Sequence, residues 1–184
     1  MSPMVSLPLT TEYALLGFLR RQPMHGYEIH RRLSKSKGLG LVWHVKQNQL
    51  YAWLRKLERK GYVTTELELQ ENRPPRKVFH LTETGQRAFL DWLESPVIQP
   101  RRLRLDFLAK LYFAQSEGSA VVAQLIEKQR EACQTWLAEQ RSQAGAIQPQ
   151  RPYDWLVHEF RIGQIEAMLS WLDRCEQALL ITPA

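Results

Sequence analysis

The amino-acid sequence predicts a mainly α protein with one small β-hairpin, in two parts. Three observations carry this expectation. Apolar residues recur at helical spacing in three short segments before residue 61. Between Tyr62 and Leu81 the period drops to two. Beyond Pro100 the pattern is helical again to the end of the chain.

Each element has a local reason. Leu15, Leu16 and Leu19 make a first helix over 10–21, with Thr10 as its N-cap and Pro23 as its stop. A second helix runs from about His25 to Leu33 and fades into the turn formers Ser34 to Gly38. Residues 46–60 form a third, ended by Gly61, the residue that most easily takes a left-handed cap. Val63, Thr65, Leu67 and Leu69 alternate along a strand over 62–69. Glu71-Asn72-Arg73-Pro74-Pro75 is a turn that no central strand could contain, and 76–81 returns through Val78 and Phe79 as the second strand. Thr82 caps a fourth helix through Leu93. The segment 95–100, with Pro96 and Pro100, reads as a linker. Helices follow over about 102–114, 119–140 and 153–180, and Gly145 to Pro149 separates the last two.

Three short helices and then a hairpin is the order of a winged helix-turn-helix, whose third helix enters the major groove of DNA. The expected organisation is a winged helix-turn-helix DNA-binding domain over 1–95 and a helical dimerisation domain over 101–184.

Composition removes other classes. With 44% apolar and 24% charged residues in 184, the chain suits a soluble globular protein rather than a disordered one. Cys133 and Cys175 are too far apart for a CxxC motif and too few for a disulfide framework. Residues 1–12 lack a basic stretch followed by an apolar core, and the apolar run Tyr13–Leu19 is far below the roughly 20 residues that span a bilayer. A cytoplasmic protein without a membrane partner is expected. His25 and His30 are five apart rather than four, and no HExxH, GxSxG, P-loop or GxGxxG motif occurs, so no catalytic residue, metal or cofactor is expected.

Charge is distributed unevenly. Residues 1–100 hold 15 Lys or Arg against 9 Asp or Glu, whereas 101–184 hold 10 of each. The whole surplus of +6 therefore belongs to the first part, where concentrated positive potential suits a phosphate backbone. On the third helix Leu50, Leu54 and Leu57 form one apolar stripe. The opposite side combines small Ala52, the amides Gln47, Asn48 and Gln49, and the cations Arg55, Lys56 and Arg59. Amides pair bidentately with adenine and cations hold phosphates, so this is the face a base-reading helix needs. The candidate base-reading residues are Gln47, Asn48, Gln49, Tyr51, Ala52 and Arg55. The candidate phosphate and wing residues are Tyr27, Lys46, Lys56, Arg59, Arg73, Arg76 and Lys77. The competing reading is a winged-helix module that binds protein without DNA; it would not require the amide-and-cation face.

Several runs of this chain resemble the PadR family of bacterial transcriptional regulators. They are Glu12-Tyr13-Ala14-Leu15-Leu16-Gly17-Phe18-Leu19, Pro23-Met24-His25-Gly26-Tyr27-Glu28-Ile29, Gln49-Leu50-Tyr51 with Leu54, Leu57, Glu58 and Gly61, and 73–85 from Arg73 to Gly85. Asp106 to Ala114 and Trp171-Leu172 are similar to the helical C-terminal domain of the family's larger, Vir-like branch. The resemblance implies a homodimeric DNA-binding repressor whose C-terminal helices dimerise and sense a small, aromatic or phenolic effector. The chain departs from the family's pattern at Lys46-Gln47-Asn48-Gln49, at Asn72 where Gly is common, and at an added Pro75.

The last helix is apolar over an unusually wide arc. Ile162, Ile165, Leu169 and Leu172 form one line, and Met168, Trp171 and Cys175 a second beside it. A wide apolar arc needs several neighbours, so these seven residues are the expected dimer contacts of a protein that reads a palindromic operator with twofold symmetry.

Overall fold

The computed structural model describes residues 12–35, 37–70, 73–147 and 151–181. The order is α1 (Tyr13–Arg21), β1 (Met24–His25), α2 (Gly26–Leu33), α3 (Gln47–Arg59), β2 (Val63–Gln70), β3 (Arg73–Leu81) and α4 (Glu83–Glu94), followed by α5 (Leu103–Glu117), α6 (Ser119–Gly145) and α7 (Pro152–Glu176). A 3₁₀ turn precedes α3 at Gly38–Leu41, another precedes α5 at Pro100–Arg102, and a π turn follows α7 at Gln177–Ile181. Thr10, the expected cap of the first helix, and the hairpin tip at 71–72 lie outside the described residues.

The chain forms two compact units. The first comprises the residues through Leu93 together with Arg104–Phe113; the second comprises Glu94–Leu103 and the residues from Ala114 onward. Ten residues of α5 thus pack with the winged helix, whereas the sequence assigns that whole helix to the second part. Phe113 explains the difference. Its ring meets Phe18 edge-on at 5.3 Å and Phe89 at 5.7 Å, and it fills the space left by the missing side chain of Gly17.

Within the first unit Leu15, Leu16, Ile29, Leu33, Leu50, Leu54 and Leu57 are fully buried. The end of α3 follows from Gly61. At φ +72° it lets its own N–H reach the Glu58 carbonyl while the Tyr62 N–H reaches that of Leu57, satisfying two carbonyls at the helix end. Thr82 then starts α4, its hydroxyl accepting from Gly85 N at 3.0 Å and donating to the Gly61 carbonyl at 2.7 Å.

The sheet has three strands, not the two of a simple hairpin. Met24 and His25 pair antiparallel with Phe79 and Val78, giving the order β1-β3-β2. A two-residue strand has no periodicity to read, so only its distant partner reveals it. Val63, Phe79 and Met24 face the core. Further out the same alternation continues without a body beneath it, leaving Leu67 60% and Leu69 83% exposed.

In the second unit α6 and α7 run antiparallel. Val122, Leu125, Ile126, Gln129 and Cys133 of α6 and Ile162, Ile165, Leu172 and Cys175 of α7 are buried. Arg130 binds Glu127, Asp173 and Glu176, and Arg141 binds Glu166, at the rim. No helix among the described residues is long and apolar enough to cross a membrane.

Candidate nucleic-acid interface

Helix α3 turns its three leucines inward and thereby presents the opposite side to solvent. Gln47, Asn48, Gln49, Ala52, Arg55 and Arg59 are all exposed. The helix begins without a side-chain cap at Lys46. Asn48 instead accepts from Gln49 N at 2.8 Å, which satisfies one of the free donors of the first turn. Lys46 is exposed beside them. Lys56 is differently placed. Its ammonium donates to Glu12 Oε1 at 3.2 Å, committing it to the start of α1.

Tyr51 is half-buried, and its position depends on Gly26. A Cβ on Gly26 would lie 2.6 Å from Tyr51 Cε1, so the side chain of any other residue would displace the ring. Tyr27 stacks on His25 with centroids 5.4 Å apart, and the Arg76 guanidinium carbon stands 5.6 Å from the centre of the Tyr27 ring. Lys77 is exposed on the neighbouring stretch of β3. The side chain of Arg73 lies outside the described residues.

These groups converge around a recess of about 450 Å³ lined by His25, Tyr27, Tyr51, Pro75, Arg76 and Lys77. The expected wing residues Arg76 and Lys77 thus share one site with Tyr27 and with Tyr51, which the sequence assigns to base reading. His25 is the participant that sequence reasoning missed. Its partners Lys77 and Glu68 are 52 and 43 positions away, and only the strand pairing brings them together. Among the described residues no group of three or more His, Cys, Asp or Glu side chains is arranged to hold a metal.

The expected dimer residues separate into two sets. Ile162, Ile165, Leu172 and Cys175 are buried within the chain, and Met168, Leu169 and Trp171 are half-buried. The N-terminal part of α7, by contrast, exposes Tyr153 (76%), Leu156 (56%) and Phe160 (67%).

A buried leucine stripe, an open amide-and-cation face and a cationic wing define a winged helix-turn-helix protein of the transcription-regulator class. Residues 15–91 match the Transcriptional regulator PadR-like family, and residues 103–179 match the Virulence activator alpha C-term domain. The chain thus carries a PadR-like transcriptional-regulator domain over residues 15–91. It is similar to the negative transcriptional regulator PadR of Bacillus subtilis (strain 168), with 29% identity over 128 residues, 70% of this chain and 69% of that one. It is also similar to a probable transcriptional regulator of Mycobacterium tuberculosis (strain ATCC 25618 / H37Rv), with 32% identity over 89 residues, 48% of this chain and 46% of that one. Among solved structures, the crystal structure of Bacillus subtilis PadR in complex with operator DNA has 24% identity and a TM-score of 0.46, covering 91% of this chain and 98% of that one. The protein smu.1604c of Streptococcus mutans UA159 has 23% identity and a TM-score of 0.44, covering 90% and 98%.

Proposed function

We propose that this chain is a sequence-specific DNA-binding repressor that acts in the cytoplasm as a homodimer on a palindromic operator. The observation that carries the reading is the outward face of α3. Three consecutive amides, Gln47, Asn48 and Gln49, are followed on the same outward side by Ala52, Arg55 and Arg59, about one, two and three turns on, opposite a fully buried leucine stripe. The amides and Arg55 supply base-edge hydrogen bonds, Ala52 leaves room for close approach, and Lys46, Arg59, Arg76 and Lys77 hold the flanking phosphates. That the similar Bacillus subtilis protein is named a negative regulator supports repression.

Two copies would meet through the exposed side of α7. Tyr153, Leu156 and Phe160 follow one another at three and four positions, so they share one helix face. Covering such a face removes apolar surface from water at about 25 cal/mol per Å². Because Ile162, Ile165, Leu172 and Cys175 are used inside the chain, this earlier part of α7 is the better candidate for contact between copies. Release by a small aromatic or phenolic effector rests on the family resemblance, and the discharge of a DNA complex by simple phenols would test it.

The experiment for the main reading is selection from a random duplex library, followed by titration of the selected duplex and a scrambled one against salt. DNA binding predicts a preference for the selected duplex and a log–log salt slope of about −0.9 per phosphate engaged. Binding that is absent even at about 50 mM salt favours the protein-binding module instead.

A further inference from the structure

His25 is held at three atoms. Its main-chain N–H donates to Glu28 Oε2 at 3.1 Å, its ring Nδ1 donates to the Lys77 carbonyl at 3.1 Å, and its Nε2 lies 3.1 Å from Glu68 Oε2. One residue therefore ties the start of α2 to both strands of the wing. The recess beside it is walled by two phenols, a guanidinium and an ammonium, and among the described residues no carboxylate lines it.

That Glu68 does not line it is a consequence of His25. Glu68 and Arg76 are direct cross-strand partners in the register of β2 and β3, the geometry in which opposite charges pair. Glu68 is instead turned to the His25 ring, and Arg76 lies over Tyr27. The guanidinium is thus left available to an anion from outside. Two hydroxyls able to donate and two cations suit a singly charged group rich in acceptor oxygens. The volume of about 450 Å³ exceeds that of one phosphate and accommodates the adjoining sugar.

We infer that this recess seats one phosphodiester of the DNA backbone with its sugar, and that His25 is its positioning residue, keeping Glu68 off Arg76 and the wing against α2. The inference rests on the DNA-binding reading and moves Tyr51 from base reading to backbone contact.

The test uses the full chain, the selected and the scrambled duplex, and affinity followed by fluorescence anisotropy across a salt series. Tyr51→Phe weakens both duplexes alike, by about tenfold for a lost charge-assisted hydrogen bond. Arg76→Gln lowers the salt slope by about 0.9. His25→Ala lowers it by a similar amount, because Glu68 then neutralises the guanidinium, and the double variant His25→Ala/Glu68→Gln regains it. A merely structural role for His25 would not be rescued by removing a charge at position 68. Tyr51→Phe losing affinity for the selected duplex alone would make it a base reader and overturn the seat. A His25→Ala slope that is unchanged, or one that Glu68→Gln fails to restore in chains with wild-type circular dichroism, overturns the positioning role. Wild-type chain that binds neither duplex overturns the DNA reading and this inference together, whereas wild-type binding with indifferent variants overturns the inference alone.

Discussion

Gln129 grips Val97 by both of its main-chain groups. The Val97 N–H donates to Gln129 Oε1 at 2.7 Å, and Gln129 Nε2 donates back to the Val97 carbonyl at 3.2 Å. Gln129 is fully buried in the second unit, so this amide does for the segment before α5 what a neighbouring strand would do for an edge. Lys128 adds a bond to the Glu94 carbonyl at 3.1 Å. The proline-bounded stretch that reads as a linker is therefore fastened at Glu94 and Val97.

Replacing Gln129 by Leu removes both partners and leaves a buried N–H and a buried carbonyl. The expected cost is about 2–4 kcal/mol of unfolding free energy, measured by urea denaturation. Gln129→Glu keeps an acceptor but buries a carboxylate against the Val97 carbonyl, so it should cost at least as much as Leu. A Leu variant as stable as wild type would show that the clip contributes nothing.

Stability should rise, not fall, on moving from neutral to moderately alkaline pH. Burial pushes the Lys110 amine down to about 8 from its ordinary 10.5, although the neighbouring Asp106 opposes the shift. Between these values the unfolded chain holds a proton that the folded chain has lost, so unfolding becomes less favourable as pH increases. Tyr13 acts in the opposite sense at higher pH. Burial, with help from Tyr62, raises its hydroxyl to about 12 from 10.0, so the unfolded chain sheds that proton first and stability declines above about 10. Thermal midpoints from pH 7 to pH 11 should pass through a maximum, and Lys110→Met should abolish the rising limb.

Two glycines should fail for different reasons. At Gly17 an added Cβ would lie 2.6 Å from Phe113 Cε1, so Gly17→Ala overpacks the first unit, by about 1–3 kcal/mol. At Gly61 nothing lies within 4 Å, but φ is +72°, and Gly61→Ala costs about 1–2 kcal/mol through backbone strain alone. Asn at position 61, which tolerates the left-handed region, should recover part of that loss, whereas no polar substitute rescues position 17. Chemical denaturation of Gly17→Ala, Gly61→Ala and Gly61→Asn distinguishes the mechanisms.

Asn48→Ala should relax sequence preference more than it weakens binding. The expected loss is about 1–3 kcal/mol against the selected duplex and little against a scrambled one, read by competition at fixed salt. Equal losses on both would place Asn48 among the backbone contacts.

Phe160→Glu should convert a dimer to a monomer without unfolding either unit, because the side chain is two-thirds exposed within the chain. Sedimentation velocity would show the change. A wild-type chain already monomeric at micromolar concentration would remove the proposed contact.

Helix α3 was legible because its evidence is local. Leu50, Leu54 and Leu57 repeat at the helical period, Gly61 ends the helix within two residues, and their geometry alone dictates which side Asn48, Ala52 and Arg55 occupy. Thr82 as the start of α4 is likewise a matter of three residues. The stripes of α7 show the limit of that method. Periodicity marked Ile162, Ile165 and Leu172 as apolar, correctly, but not that α6 of the same chain covers them.

Period, caps and turn chemistry act over one or two turns of chain, and they were enough for the helices, the hairpin, the winged-helix order and the amide-bearing face. The pairing of residues far apart along the chain settled the rest. Met24 and His25 become a strand only against Val78 and Phe79, Phe113 joins the first unit by filling the space beside Gly17, and His25 draws Glu68 away from Arg76. Each of these depends on contacts made after the elements have packed, when burial and charge act between side chains that have no fixed spacing in the sequence.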